Sequence, residues 1–272
     1  MHYLTFLGGI HKKLQPQTYL EIGVRNGDSL ALSRTRSIGI DPAFQVKSEI
    51  ACEVSLFRST SDDYFARADV LKPFGGERIG YSFIDGMHLF EYALRDFINV
   101  EKHSHWTTAI VLDDMLPRSN DEAARDRHTR AWTGDVYKMI PVLERYRPDL
   151  VLLRIDTQPT GLLLILGADP TSTVLSDNYE KIIAEYVTPD PQLVPSDILA
   201  RRGALPPQAM LKAPFWRLLR QERYKGTGRA AGLPLLRTAI ADPSSVPAAS
   251  MGLARIKGGV RRRAKQVVKA LR

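Results

Sequence analysis

Among its 272 residues the chain holds a single cysteine, Cys52. One thiol closes no intramolecular disulfide and builds no cysteine zinc cluster; a free cysteine fits a reducing compartment, so a cytoplasmic protein is expected. Also missing is any run of about 18 uncharged apolar residues, the length a membrane-spanning helix needs. The most apolar stretch, 150–167, is interrupted by Arg154, Asp156 and Gln158, and no transmembrane helix is expected. No basic segment precedes a long apolar one near the start, so a secretory leader is not expected either. Positive charge is scarce in the body: the first 200 residues hold 21 Lys and Arg against 28 acids, whereas 201–272 hold 17 against Glu222 and Asp242. The net +8 is thus an acidic body with a basic tail, and a nucleic-acid groove is not expected.

What is present is a globular composition, 44% hydrophobic and 25% charged, with alternating strand and helix patterns that imply a mostly parallel sheet covered on both faces. Strands are expected at 19–24, 37–41, 54–57, 79–84 and 108–112, with helices starting at 29, 61, 89 and 135. Ser61-Asp62-Asp63 reads as a helix N-cap with acidic first-turn residues. Two further strands, 150–155 and 161–166, are separated by Thr157-Gln158-Pro159-Thr160, too short for a parallel crossover, so they pair antiparallel. The expected domains are 1–190 and a Pro-rich, basic extension, 191–272, that is only partly ordered and ends in a mobile segment.

The chemistry-bearing residues fall at the carboxyl ends of the strands, the edge where open α/β sheets bind ligands. Glu21-Ile22-Gly23-Val24-Arg25-Asn26-Gly27 places glycines where a backbone approaches a ligand, yet lacks the full G-x-G-x-x-G of dinucleotide sites. Asp28 follows at the helix start, where it repels a pyrophosphate and tolerates a cation. S-adenosylmethionine has no phosphate and carries a sulfonium and an ammonium, which suits this loop. Asp41, ending the second strand, is placed for ribose hydroxyls, and Glu21, Gly23, Asn26, Gly27, Ser61 and Asp85 are counted with it as donor-binding. Asp85 with Asp113 and Asp114 forms a second cluster. Carboxylates at neighbouring buried strand tips repel unless a cation offsets them, and oxygen ligands point to magnesium. His88, three residues after Asp85, could take the proton of a metal-held hydroxyl. The plainer alternative makes Asp113 a loop cap, Asp114 a solvated side chain and His88 a satisfied helix-start residue.

Tyr19 to Asp41, Ile84-Asp85-Gly86-Met87-His88 and Ile110-Val111-Leu112-Asp113-Asp114 together resemble class I S-adenosylmethionine-dependent methyltransferases of the macrocin/rhamnosyl O-methyltransferase-like (methyltransferase-24-type) group, over about residues 15–170. The resemblance implies a Rossmann-like α/β sheet, parallel strands plus an antiparallel C-terminal hairpin. It also implies a donor site at Glu21, Gly23 and Asp41, magnesium on Asp85 and Asp114 with Asp113, and His88 as general base. Trp132-Thr133-Gly134-Asp135-Val136 resembles a recurrent segment of the group, a substrate-side loop; its plainer reading is Asp135 as a helix N-cap and Trp132 as packing. The implied acceptor is a sugar, glycoside or related small molecule. A nucleotide-dependent oxidoreductase and a non-catalytic binding module are the competing readings. The basic residues from Arg255 to Arg272 suit a peripheral contact with an anionic membrane or a solvated tail, Phe215-Trp216 could dock on the body or on a second subunit, and a homo-oligomer is open.

Overall fold

The structure, a computed structural model, describes residues 1–242; the expectations for 243–272, including the tail's membrane contact and mobility, lie outside the described residues. The chain opens with a helix that the strand-led reading did not include, α1 (Tyr3–Leu14), whose apolar Phe6, Leu7, Ile10 and Leu14 recur on one side and are buried. Seven strands follow: β1 (Thr18–Ile22), β2 (Arg36–Ile40), β3 (Val54–Phe57), β4 (Ile79–Ile84), β5 (Ser104–Leu112), β6 (Val151–Ile155) and β7 (Leu162–Leu166). Between them come α2 (Ser61–Phe65), α3 (Phe90–Lys102) and α4 (Met139–Tyr146), and after β7 α5 (Val174–Asp177), α6 (Tyr179–Tyr186), α7 (Ser196–Leu199), α8 (Pro207–Leu211), α9 (Phe215–Lys225) and α10 (Arg229–Ala241).

The sheet order is β3-β2-β1-β4-β5-β7-β6, parallel except where β7 runs against β5 and β6. Parallel strands closed by an antiparallel C-terminal hairpin are the Rossmann-like α/β sheet expected from the sequence. Between β1 and β2 only a single 3-10 turn, Leu30–Leu32, replaces the expected helix. The space it leaves on that face is filled by α1, with Gly8 set against Leu32 and Gly9 against Leu211. Thr60, not Ser61, caps α2, its hydroxyl accepting from the Asp63 N–H at 3.1 Å.

Two apolar clusters sandwich the sheet. One joins its Leu20, Ile38, Ile84 and Ile110 to Phe90, Leu94 and Phe97 of α3 and Leu143 of α4. The other joins Tyr81, Phe83 and Val111 to α1, to Phe215, Trp216 and Leu219 of α9 and to Leu236 of α10. Residues 191–242 therefore do not form a separate extension: Trp216 is fully buried, with its indole N–H on the Met210 carbonyl at 2.8 Å. Burying such an aromatic body outweighs the ordering entropy of a Pro-rich, charged segment.

At the far end of α3, Arg147 is buried with its guanidinium bonded in parallel to both Glu101 oxygens, and Glu101 also accepts the Asp169 N–H at 2.9 Å. Replacing Arg147 by Met leaves that carboxylate buried without its cation. The expected loss is about 3–5 kcal/mol in urea denaturation; a loss below about 1 kcal/mol is the value for a solvated pair.

Candidate active site

The sheet register aligns a glycine and three aspartates in one row. Ile22 pairs with Ile40 and Ile84, and Ile84 with Leu112, so the next residues, Gly23, Asp41, Asp85 and Asp113, leave four adjacent strand tips together. Their N–H groups extend the ladder onto the carbonyls of Ile40, Phe57, Ile22 and Ile84 at 2.9–3.1 Å. Beyond this row lies a cleft of about 300 Å³ lined by Gly23, Arg25, Asp41, Asp85, Gly86, His88, Asp113 and Asp114, with Tyr3 of α1 and Pro159 and Thr160 of the β6–β7 turn.

On the β1–β2 side Gly23 has φ +88°, and a Cβ there would sit 1.8 Å from the Asp85 carbonyl oxygen, so only glycine lets the two tips approach. Asp41 accepts from the N–H of Arg25 at 2.7 Å and of Ala43 at 2.6 Å, tying the first loop to the second. Glu21 does not reach the cleft. It is fully buried beneath the turn, accepting from the Tyr19 hydroxyl at 2.6 Å and the Ser29 hydroxyl at 2.8 Å. Burial pushes its pKa up to about 8, which those two hydrogen bonds only partly oppose. Asn26 and Gly27 shape the loop from behind: the Asn26 amide donates to Asp28 at 2.8 Å, and Gly27 donates to the Val24 carbonyl at 2.8 Å. Ser61, the first residue of α2, does not line the cleft.

On the β4–β5 side His88 stands between two carboxylates, Nε2 at 3.1 Å from Asp85 and Nδ1 at 2.8 Å from Asp114. Burial alone lowers its pKa, but the bonds and charges of Asp114 and Asp85 outweigh that and hold it at about 11. The ring is therefore an imidazolium that offsets the paired carboxylates. Ligand atoms of Asp85, His88 and Asp114 all lie within 4.8 Å of one another, close enough to share one metal ion. Asp113 is not in that compact set: it is turned back, its Oδ1 accepting the Asp114 N–H at 2.8 Å, and burial, followed by the charges of Asp114 and Asp85, raises its pKa well above the usual range. The alignment of the sheet that brings Asp113 to the row also aims its side chain inward.

Backbone strain gathers here. Arg25, His88 and Asp114 have φ of 49°, 57° and 63°, left-handed values that L-residues adopt at a cost. The 132–135 segment supports them. Trp132 stacks on His88 with the ring planes 6° apart and the centroids at 5.1 Å, and its carbonyl lies 3.1 Å from His88 Nδ1. Gly134, φ +60°, packs so close to the His88 carbonyl that a Cβ would fall 1.6 Å from it. Asp135 caps α3 rather than its own helix, accepting the Phe90 N–H at 2.8 Å, with Arg125 and Lys138 at 2.8 and 2.9 Å on its other oxygen. Tyr3, Arg25 and Thr160 are cleft residues that sequence reading missed. The apolar spacing of 6, 7, 10 and 14 signals α1, but nothing local tells where its first turn lands.

No family model matches this chain, and no curated protein matches it. Among solved structures similar to it, cofactor-bound Rv0187 from MTB, at 18% identity over 61% of this chain and 80% of that one, has a TM-score of 0.47. The O-methyltransferase TomG from Streptomyces achromogenes, in complex with SAM, gives 18% and 0.47 over the same shares. The O-methyltransferase from Bacillus cereus, in complex with SAH, gives 16% and 0.43, again over 61% of this chain and 80% of that one.

Glu21 carries a testable consequence. The folded protein keeps a proton on this carboxyl that the unfolded chain releases near its ordinary pKa, so stability falls as pH rises from about 4.5 to about 8, by up to about 1.4 kcal/mol per unit. Glu21→Gln is expected to flatten that slope in denaturation curves taken at pH 5, 6, 7 and 8, matching the parent near pH 5 and exceeding it near pH 8. An unchanged slope would mean that the carboxyl is ionised in place.

Proposed function

We propose that this chain is an S-adenosylmethionine-dependent O-methyltransferase whose acceptor is a hydroxyl of a sugar, a glycoside or a related small molecule. One observation carries the reading: Gly23 and Asp41 line the same cleft as Asp85, His88, Asp113 and Asp114. Its size falls at the lower end of small-ligand sites, about 300–1,000 Å³. An acidic lining suits a donor bearing a sulfonium and an ammonium, Asp41 is held by two backbone N–H groups in position for ribose hydroxyls, and Gly23 leaves room for close approach.

Asp85 and Asp114, with Asp113 behind them, are the residues that would hold magnesium, since a carboxylate-rich set is what a hard cation takes. Bound there, the ion would supply positive charge that makes an acceptor hydroxyl more acidic. His88 is the base in this reading. With both ring nitrogens on carboxylates it is already protonated, so it must first give up one ring proton, to the carboxylate on that nitrogen or to water in the cleft, before it can accept the hydroxyl proton. Trp132 keeps the ring plane fixed while that exchange occurs. The acceptor oxygen then forms its bond to the methyl carbon as the carbon–sulfur bond breaks; the bonding pair stays on sulfur, which leaves as a neutral thioether, and the hydroxyl proton leaves the positive charge on the imidazolium of His88. Among the described residues no helix is long and apolar enough to cross a membrane, and Cys52 is a free thiol.

Calorimetric titration with S-adenosylhomocysteine tests the donor site. Binding is expected, weakened about tenfold by Asp41→Ala, the worth of roughly one hydrogen bond to a charged group; a folded protein that does not bind overturns the proposal. His88→Ala is expected to lower turnover of the methylated acceptor about 10²–10⁴-fold with donor affinity kept. Undiminished turnover would leave the donor site standing and remove the base. Chelation with EDTA is expected to abolish turnover and added magnesium to restore it; turnover that survives chelation removes the metal from the reaction.

A further inference from the structure

The opposite edge of the sheet, where the parallel strands begin, carries charge of the other sign. Arg34 and Arg36 lead into β2, Arg78 into β4 and Lys102 into β5, while α1 ends in Lys12 and Lys13 and α9 adds Arg220 and Arg223. These form one surface. Arg220 and Arg223 donate to the side chain and carbonyl of Gln15 at 2.8 Å, just past α1. Arg78 reaches the carbonyls of Lys102 and Ser104 at 3.1 and 3.3 Å, and its own carbonyl accepts the Thr18 hydroxyl at 2.6 Å. His105 senses both Arg78 and Arg223, which add to burial in lowering its pKa.

Carboxylates answer little of this charge. In these segments the acids are Glu77, exposed, and Glu222, buried and bound by Lys225 and Thr227; Glu53 reaches Arg36 at 3.6 Å from the neighbouring strand. The guanidinium groups of Arg34, Arg78 and Arg223 bond instead to main-chain carbonyls, which leaves their charge in place. Further along the same edge the pattern reverses, with Arg147 and Arg229 matched by Glu101, Asp149 and Asp169.

We infer that the basic edge spanning α1, the starts of β2, β4 and β5, and α9 is a docking face for an anionic lipid bilayer. The charge is spread over an edge several strands wide, each about 4.8 Å from the next, rather than gathered round a pocket, as a small anion would need. Tyr224 on α9 is 72% exposed, with the Arg223 guanidinium 5.2 Å from its ring centroid. One amphipathic ring among cations suits the headgroup layer, whereas a single-stranded nucleic acid is held by rings stacked on successive bases. The acidic cleft at the other end is repelled by the same lipids, so both ends of the molecule favour one orientation, strands along the bilayer normal and the cleft facing away. This inference is independent of the reaction proposed above.

The test uses the full chain, in which residues 243–272 add eight Lys and Arg and no acid, so the edge and that segment have to be told apart. Co-sedimentation is measured with vesicles of phosphatidylcholine alone and with about 30% phosphatidylglycerol, at roughly 0.05 and 0.5 M salt. Binding to the anionic vesicles, lost in high salt, is expected. Lys12→Glu/Lys13→Glu/Lys102→Glu, at exposed positions, is expected to weaken it at least about tenfold with an unchanged melting curve, and the corresponding glutamine variant to fall between. Parent-like binding by both variants overturns the inference and assigns the contact to 243–272. Equal binding to neutral vesicles, tighter binding to RNA than to anionic vesicles, or salt-sensitive self-association in their place overturns it as well.

Discussion

Two carboxylates at neighbouring strand tips, Asp85 and Asp114, are held around a single imidazolium. Unit charges about 4 Å apart interact by about 4 kcal/mol at an effective dielectric near 20, so neither tip would keep its place without the ring between them. That constraint propagates outward. His88 reaches both partners only from a left-handed backbone, and its ring is kept in plane by Trp132. Trp132 is positioned by a segment whose Gly134 lies against the His88 carbonyl and whose Asp135 closes the start of α3. Arg125 links Asp135 to Glu91, and Lys138 links it to Thr188, so the cluster is braced by a hydrogen-bonded frame two layers deep.

Beneath the exposed acids lie others that do different work. Glu21 and Asp96 are buried, with pKa values raised by burial to about 8 and about 7, and Glu21 acts as a hydrogen-bonding strut more than as a charge. Glu21 fixes Tyr19 and Ser29 under the first loop; Asp96 lies under Gly86 of the β4–α3 loop. The acidic residues of the motif thus divide into those that face the cleft and those that keep its floor rigid. Identity of residue type does not separate the two groups; depth does.

The same sheet polarises the molecule. Parallel strands put all their beginnings at one edge and all their ends at the other, so a bias in which residues precede and follow strands becomes a spatial separation of charge. Lys and Arg precede β2, β4 and β5, while Asp follows β2, β4 and β5. The result is an acidic cleft and a basic edge separated by the length of the strands.

The strand pattern, the antiparallel hairpin and the gathering of Gly23, Asp41, Asp85, His88, Asp113 and Asp114 at one edge are legible in the sequence, because alternation and a short turn are local signals and parallel register carries residues after strands to a common line. Direction of a side chain at that line is not local. Whether Glu21 faces a ligand or Tyr19, whether Asp113 joins Asp85 or turns to a backbone N–H, and whether Asp135 caps its own helix or α3 depend on what packs behind each, which sequence spacing does not specify. Composition likewise marks 191–242 as Pro-rich and basic, yet buried Trp216 and Leu219 decide that it packs on the sheet. Sequence alone determined the sheet and the inventory of its reactive edge. Tertiary packing decided which of those groups are charged, which are buried and which meet, since burial and the neighbouring charge set a carboxylate's state more strongly than its place in a motif.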